Sequence, residues 1–376
     1  MGFVQLTDAY PWDAVVPFRD RASQHPGGLV DLSIGTPVDP TPQVVRDALT
    51  AAADAPGYPT AHGTPALREA VASWFRERRG VPELDPDGVL PTVGSKELVA
   101  TLPSLLGLGP DDIVVVPSVA YPTYAVGARL AGAQVLVADD VAAWAGNPAV
   151  RLVWVNSPSN PTGAVLGAEH LRGVVTAARE LGAVVASDEC YAELPWVQPW
   201  TEPSGGGVPC LLRPDVSGGD HAGLLVVYSL SKQSNLAGYR AAFAAGDAAL
   251  VHGILQLRRH MGMMVPAPVQ AATIAALGDH THVDAQRERY LRRREALLEA
   301  LTGAGYAVDH SEAGLYLWVR PADGGGDCWS MLSDFAERGI LVGPGEFYGA
   351  VSDDHVRVAL TAPDAQIDQA VDRLAR

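Results

Sequence analysis

The sequence is poor in cysteine and has no long apolar run. Its three cysteines, Cys190, Cys210 and Cys328, are odd in number and show no CxxC or cysteine–histidine metal spacing, so we expect neither a disulfide framework nor a zinc site. No uninterrupted apolar run approaches the roughly 18 residues of a membrane span, and the first residues lack the basic and apolar regions of a signal peptide. The expected location is a reducing cytoplasm.

Positive charge is also scarce. The chain has 27 lysines and arginines against 43 aspartates and glutamates, which gives a formal net charge of −16. This balance argues against non-specific binding to nucleic acids or anionic membranes. Any anionic ligand must therefore be held by a local basic site. The composition, with 48% hydrophobic and 19% charged residues, is that of an ordinary globular protein and not of a disordered chain.

The chain is long enough for two domains, since its 376 residues exceed the size at which a single core usually stops growing. Short apolar runs alternate with helical or loop segments, which predicts a doubly wound, mainly parallel α/β sheet. We expect an arm and part of a smaller domain in residues 1–41, the large domain in 42–272, and the rest of a smaller α+β domain in 273–376. The predicted strands are residues 113–116, 134–137, 152–155, 183–186, 224–227 and 241–245.

A glycine- and proline-rich insert, residues 199–219, lies between the fourth and fifth of these strands. Glycine and proline mark turns, so the insert is expected to be an exposed loop. No internal repeat and no helix-turn-helix module is evident.

The fifth predicted strand runs directly into a polar loop that carries Lys232. A lone lysine is usually a solvated surface residue. Here Ser229 precedes it by three residues and Arg240 follows it by eight. Hydroxyl and guanidinium groups suit phosphate oxygens, so both could bind the phosphate of a cofactor attached to Lys232.

Further polar residues follow the ends of other predicted strands. Asp188 comes after 183–186, at a carboxyl end where open α/β sheets bind ligands, although it could equally be a helix cap or a surface acid. Asn160 follows 152–155 in a proline-rich segment that turn chemistry alone would explain. Tyr121 follows 113–116 and could be a core or turn aromatic. Gly94 and Ser95 open a predicted helix, whose free N–H groups favour an anion.

In their order and strand-end placement, these residues resemble the fold type I pyridoxal-phosphate (PLP) aminotransferases, from about residue 29 to the C-terminus. The resemblance implies PLP as the cofactor and Lys232 as the lysine that binds it and moves the α-proton. Asp188 would keep the ring nitrogen protonated, and Tyr121 would stack on the ring. Asn160 and Tyr191 would hydrogen-bond the ring oxygen. Lys232, Asp188 and Tyr191 are thus the expected catalytic residues.

The same resemblance implies how phosphate and substrate are bound. The residues expected at the phosphate are Gly94, Ser95, Lys96, Ser229 and Arg240. Tyr58 matches a tyrosine that reaches the phosphate of the neighbouring subunit, which implies a homodimer. Arg357 matches the arginine that clamps the substrate α-carboxylate, with Gly35 and Asn160 beside it. Without the resemblance, Arg357 would be read as a surface arginine on a strand.

Within the family, residues 58–65, 94–98, 231–240 and 263–268 look most like the actinobacterial N-succinyldiaminopimelate aminotransferases. This likeness implies amino transfer between glutamate and N-succinyl-2-amino-6-oxopimelate in lysine and diaminopimelate synthesis. One departure is Gln233, where that group is expected to have an arginine close to the phosphate. Lys96 and the pair Arg258 and Arg259 are candidates for the distal carboxylates. For the pair, an exposed helix face is the favoured interpretation.

Two other classes of function stay open. An aspartate- or aromatic-type aminotransferase, or a β-lyase, would use the same fold and the same lysine. The second alternative is a regulatory protein that keeps the fold without catalysis. The complete set of Lys232, Asp188 and Arg357 argues against it.

Overall fold

The computed structural model describes residues 11–202 and 207–375. No helix in this part of the chain is long and apolar enough to cross a membrane. The helices are α1 (Val16–Ser23), α2 (Gln43–Ala51), α3 (Pro65–Arg78), α4 (Ser95–Leu105), α5 (Thr123–Leu130), α6 (Ala168–Leu181), α7 (Pro214–Ser217), α8 (Ala248–Met261), α9 (Ala267–Gly278), α10 (Thr281–Gly303), α11 (Cys328–Glu337) and α12 (Asp364–Leu374). The strands are β1 (Val30–Asp31), β2 (Val89–Val93), β3 (Ile113–Val116), β4 (Gln134–Val137), β5 (Val150–Asn156), β6 (Val184–Asp188), β7 (Leu224–Ser229), β8 (Ala241–Gly246), β9 (Tyr306–Asp309), β10 (Tyr316–Pro321), β11 (Ile340–Leu341), β12 (Gly343–Pro344) and β13 (Val356–Ala359).

A seven-stranded sheet forms the centre of the molecule, in the order β2-β8-β7-β6-β5-β3-β4. Strands β3 to β7 are parallel, and β8 runs antiparallel to both of its neighbours. The predicted mainly parallel α/β sheet is therefore confirmed, and all six predicted strands are present. Strand β7 is buried along its whole length, which explains why its sequence is a continuous apolar run and does not alternate.

Helices cover both faces of this sheet. On one face, Trp74 and Phe75 of α3 pack with Tyr228 and Phe243 of the sheet. Helix α3 starts where Thr64 caps it, since the threonine side chain accepts a hydrogen bond from the Leu67 N–H at 3.2 Å. On the other face, helices α4, α5 and α8 bury their apolar sides against the same strands. The two faces together fix the positions of the strand ends.

A second hydrophobic core joins the N-terminal segment to the last third of the chain. Val30 and Leu32 pack there with Tyr290, Leu317 and other side chains from α10 onward. An antiparallel sheet of order β12-β13-β10-β9 and the parallel pair β1-β11 belong to this part. This packing supports the proposed grouping of residues 1–41 with 273–376. The limits themselves stay a proposal, and residues 1–10 lie outside the described part.

The prediction of an exposed loop at residues 199–219 is wrong for residues 208–212, 216 and 217, which are buried. The hydrophobic cluster around Trp74 and Phe75 on one face of the large sheet is the first core of the molecule. Cys210, Leu211 and Leu212 are fully buried in it, and α7 forms within the segment. The Leu211 N–H donates to the Glu189 carboxylate at 2.8 Å. Glycine and proline set the turns here, but the apolar residues between them decide burial. Residues 203–206 of the insert lie outside the described part.

Candidate active site

Three predicted residues and one further polar residue, Asn156, lie at the carboxyl ends of four neighbouring strands. Asp188 is the last residue of β6, and the sheet register places it beside Asn156, the last residue of β5. Ser229 ends β7, and Tyr121 follows β3 by five residues. Parallel strands end at the same edge of a sheet, so these residues meet on one side of the molecule.

Lys232 lies in the loop between β7 and β8 and reaches the segment that follows β1. Its Nζ donates a hydrogen bond to the carbonyl oxygen of Gly35 over 2.6 Å. The Ser229 hydroxyl opens this loop, since it accepts from the Ser231 N–H at 3.2 Å and donates to the Ser231 hydroxyl at 2.8 Å. Two residues predicted separately, Lys232 and Gly35, are thus in direct contact.

Asp188 is buried and has two hydrogen-bond donors. The Tyr124 hydroxyl donates to Oδ2 at 2.9 Å, and the Cys190 N–H donates to Oδ1 at 3.2 Å. Burial raises the pKa of Asp188, and its hydrogen bonds to Cys190 and Tyr124 offset this only in part. A buried carboxylate that is disfavoured in this way gains from a cationic partner, such as a protonated ring nitrogen.

The start of α4 and the end of the β7–β8 loop, which carries Lys232, lie against each other. We call this junction of Gly94, Ser95, Lys96 and Arg240 the cradle. Gly94 precedes α4 with a φ of 74°, and its N–H donates to the Arg240 carbonyl at 2.8 Å. The Arg240 guanidinium lies so close to the Gly94 Cα that a Cβ there would overlap it. Ser95 and Lys96 provide the first N–H groups of the helix, and Lys96 Nζ lies 5.7 Å from the centre of the Tyr121 ring. The arrangement suits a phosphate beside an aromatic ring.

Arg357 of β13 is buried without a counter-ion in the described part of the chain. Its Nη1 donates to Asn160 Oδ1 at 3.1 Å and its Nη2 to the Ser33 carbonyl at 2.7 Å, while its Nε is buried without a partner. The guanidinium carbon lies 4.1 Å from the ring centre of Tyr316 and 4.9 Å from that of Tyr348. A buried cation without an anion is costly, so this site is prepared for a carboxylate.

Tyr316 contacts both Arg357 and Gly35, and Tyr191 is its neighbour. The hydroxyl oxygens of the two tyrosines are 3.5 Å apart. Burial alone would raise the pKa of Tyr316, but the positive charges of Arg357 and Lys232 outweigh burial and lower it. The Tyr316 hydroxyl also lies against Gly35, where a Cβ would overlap it. A side chain larger than glycine at position 35 would therefore displace Tyr316 from Arg357.

Tyr58 stands apart from the other predicted residues. Its side chain is 96% exposed. A large aromatic residue left so open by its own chain is compatible with a contact to another subunit. Its role at a neighbouring phosphate stays a prediction.

The structure shows where the side chains of Arg258 and Gln233 lie and which groups they bind. Arg258 is fully buried and pairs with Glu97 through both terminal nitrogens, at 2.9 and 2.7 Å, so an exposed face is wrong for it. Arg259 is exposed, as expected. Because Glu97 already occupies the Arg258 guanidinium, Arg258 is not available to a substrate. Gln233 is buried in the first core, where it accepts a hydrogen bond from Tyr228.

Sequence reasoning missed four residues that shape the site: Tyr124, Asn156, Tyr316 and Tyr348. Tyr124 follows Tyr121 by only three residues, and this closeness in the sequence is the available signal. Tyr316 lies in an apolar run that marks only a strand. Tyr348 approaches Arg357 through a loop whose path the sequence does not reveal.

Comparison with known proteins identifies the family. The model of the family "Aminotransferase class I and II" matches residues 28–374. The chain belongs to this family. It is 53% identical over 365 residues to the 4-dedimethylamino-4-oxo-anhydrotetracycline transaminase of Streptomyces rimosus, covering 97% of this chain and 98% of that one. It is 54% identical over 365 residues to a probable aminotransferase of Mycobacterium tuberculosis, covering 97% and 84%.

Solved aminotransferases share the whole architecture. An aspartate aminotransferase variant from Thermus thermophilus superimposes with a TM-score of 0.88 at 27% identity, covering 100% of this chain and 99% of that one. A probable N-succinyldiaminopimelate aminotransferase from the same organism gives 0.85 at 28% identity, covering 97% and 99%. The expected PLP-dependent transferase fold is thus confirmed.

As a class I and II aminotransferase, the protein uses PLP and acts on amino acids and oxo acids. The described residues fit this cofactor. The cradle at Gly94 leaves no room for a Cβ beside Arg240, and the buried acid Asp188 is destabilised as an anion without a cationic partner. When bound, PLP draws electron density away from the α-carbon of the amino acid and so makes its proton acidic.

Proposed function

We propose that this aminotransferase uses Lys232 as its reactive lysine and Arg357 to bind the α-carboxylate of its amino acid substrate. The buried guanidinium of Arg357 supports this most strongly, because it has hydrogen bonds but no carboxylate partner within the described residues. A substrate carboxylate accepts two parallel hydrogen bonds from such a group. The adjoining segment holds Gly35, whose carbonyl oxygen contacts the lysine amine.

The other predicted residues would each bind a different part of PLP. Lys232 is the base that takes the α-proton and returns it. Asp188, buried and oriented by Tyr124, pairs with the ring nitrogen. Asn160 and Tyr191 would hold the ring oxygen, and Tyr121 would cover the ring. Gly94, Ser95, Lys96, Ser229 and Arg240 would hold the phosphate.

The proposed reaction moves an amino group between glutamate and N-succinyl-2-amino-6-oxopimelate. The sequence segments around Lys232, Tyr58 and Gly94 support this choice, as does the structural likeness to the probable N-succinyldiaminopimelate aminotransferase. This acceptor carries three carboxylates, and Arg357 satisfies one of them. With Arg258 paired to Glu97, the exposed Lys96 and Arg259 are the remaining basic candidates for a distal carboxylate.

A second acceptor class is a fused-ring ketone. The 53% identity to the Streptomyces rimosus transaminase, whose name specifies a 4-oxo-anhydrotetracycline substrate, favours it. Arg357 would then serve the amino donor alone, since such an acceptor needs no α-carboxylate.

Steady-state kinetics separate these substrates. We expect kcat/KM for N-succinyl-diaminopimelate to exceed that for aspartate by at least ~100-fold, because distal contacts add transition-state binding. Comparable values would indicate a general aspartate- or aromatic-type enzyme. Amination of a 4-oxo-anhydrotetracycline at a rate above that of the succinylated acceptor would establish the second class. Release of ammonia and an oxo acid without an acceptor would indicate a β-lyase. Absence of turnover with every substrate would indicate a regulatory protein.

A further inference from the structure

Asn156 uses its whole side-chain amide for hydrogen bonds inside the site. It is buried at the end of β5. Its Nδ2 donates to the Asp188 carbonyl oxygen at 3.0 Å and to the Pro158 carbonyl oxygen at 3.2 Å. Its Oδ1 accepts from the Asn160 N–H at 2.8 Å. Both N–H hydrogens and the carbonyl oxygen of the amide are therefore occupied.

These bonds add a side-chain link between two segments that the backbone pairing of β5 with β6 also joins. Asp188 belongs to the end of β6, whereas Asn160 belongs to the turn that leaves β5. Asn156 bonds both, and Asn160 Oδ1 in turn accepts from Arg357 Nη1 at 3.1 Å. A continuous series of hydrogen bonds thus runs from the main chain of Asp188 through Asn156 and Asn160 to Arg357.

One of the hydrogen bonds of Asn156 is not needed to form the turn. A turn asparagine usually bonds a backbone group within its own turn. The bond from Asn156 to Asp188 crosses to the next strand instead, at the residue that carries the acid. The Asp188 carbonyl keeps a second donor, the Ser157 N–H at 3.2 Å, so β6 does not depend on Asn156 for its pairing. The contribution specific to Asn156 is the relative position of Asp188 and Asn160.

We propose that Asn156 is a positioning residue that keeps Asp188, Asn160 and Arg357 in register, so that PLP and the substrate carboxylate are bound as one unit. The inference rests on the proposed function, because it takes Asp188 and Asn160 as contacts of the cofactor and Arg357 as the carboxylate clamp. Asn156 itself touches neither ligand in this account and acts through the other three residues.

The first test compares Asn156→Ala and Asn156→Ser with Ser157→Ala in the full-length, PLP-loaded protein. Ser157 is a suitable control because it is buried in the same turn and its hydroxyl accepts one hydrogen bond, from the Leu166 N–H at 2.9 Å. We expect PLP to dissociate about 10-fold or more readily from both Asn156 variants, since each leaves buried groups unpaired. The pH at which the visible absorbance of bound PLP changes should also shift. Ser157→Ala should retain the wild-type values of both quantities.

The second test is a double-mutant cycle with Arg357→Lys. If Asn156 transmits the position of Arg357 to the acid, the effect of Arg357→Lys on KM for glutamate should be smaller in the Asn156→Ala background than in the wild type. The matched cycle with Ser157→Ala should be additive. Wild-type PLP retention and an unshifted absorbance titration in Asn156→Ala or Asn156→Ser, or additivity in both cycles, would overturn the inference.

These outcomes separate the inference from the function on which it rests. If the proposed function is wrong, the wild-type protein itself shows no reaction with glutamate. If only the role of Asn156 is wrong, the wild type reacts and the Asn156 variants lose thermal stability without any change in PLP dissociation or the absorbance titration.

Discussion

Tyr124 donates its phenolic hydrogen to the buried Oδ2 of Asp188 over 2.9 Å. The Tyr124 ring is stacked on Trp154, with centroids 4.8 Å apart and planes at 23°, so its hydroxyl has a fixed direction. Burial, and then the charge of Asp188, raise the pKa of Tyr124 well above its usual value, so the hydroxyl stays a donor at neutral pH. One packed tyrosine therefore orients the acid expected at the cofactor ring.

Replacing Tyr124 with phenylalanine should destabilise the cofactor-free protein in a pH-dependent way. Burial raises the pKa of Asp188 above its ordinary 3.8, so the stability that its protonated form contributes is complete at low pH and is lost as the pH rises through the folded-state pKa. Tyr124→Phe raises that pKa further. The deficit in unfolding free energy should therefore be about 1–3 kcal/mol near neutral pH and smaller in acid, as measured by urea titration.

A matched control is Tyr306→Phe. Tyr306 is a partly buried tyrosine of β9 that stacks on Phe335 in the second core and does not contact Asp188. Its deficit should not follow the titration of Asp188. A Tyr124→Phe deficit that is the same at every pH would mean that the hydroxyl does not act on the acid.

The ion pair of Arg258 and Glu97 should prove structural. Arg258→Met leaves the Glu97 carboxylate without its partner in a largely buried position, which should cost about 3–5 kcal/mol of unfolding free energy. Because both terminal nitrogens of Arg258 are bonded to the Glu97 carboxylate, KM for glutamate and for N-succinyl-diaminopimelate should not change. Arg259→Met, on the exposed side of α8, serves as the control and should stay within about 0.5 kcal/mol of wild type. An increase in KM without a loss of stability would make Arg258 a candidate substrate ligand again.

Shared active sites in a homodimer can be tested by mixing two impaired variants. Tyr58→Phe weakens the phosphate contact offered to the partner, and Lys232→Ala removes the reactive lysine of its own chain. If the sites are shared, a mixed dimer contains one site with both groups intact. Random reassembly should then restore about a quarter of the wild-type activity. The test requires Tyr58→Phe alone to be clearly impaired, and no recovery on mixing would make shared sites untenable.

The sequence predicted the large sheet well because buried parallel strands are short apolar runs between turn signals. The residues of β3 and β4 were predicted to the residue, and β5 to β8 within one or two at each end. Strands β1, β11 and β12, of two residues each, carry no such pattern. The prediction for residues 199–219 failed for a different reason. The many glycines and prolines indicated a loop, although the apolar residues between them pack into the core.

The residues of the site that match motifs of the family could be predicted, whereas neighbours whose role depends on packing or on a local hydrogen bond were missed. Lys232, Gly35, Asn160 and Arg357 are brought together as the resemblance implied. The neighbours that tune them come from rings and amides that look like core or turn residues in the sequence. Arg258 shows the converse, because a helical arginine that could face a ligand is instead occupied by a carboxylate 161 positions away.

The most direct test of the account is an absorbance measurement on the PLP-loaded protein with glutamate and no acceptor. We predict that the visible band of the wild type falls as the amino group is transferred, with one equivalent of 2-oxoglutarate formed per site, and that adding the oxo acid acceptor restores it. Lys232→Ala should show neither change, because it lacks the base that moves the α-proton. A wild type that stays colourless after incubation with PLP, or a band that glutamate leaves unaltered, would contradict the assignment of Lys232 as the reactive lysine of an aminotransferase.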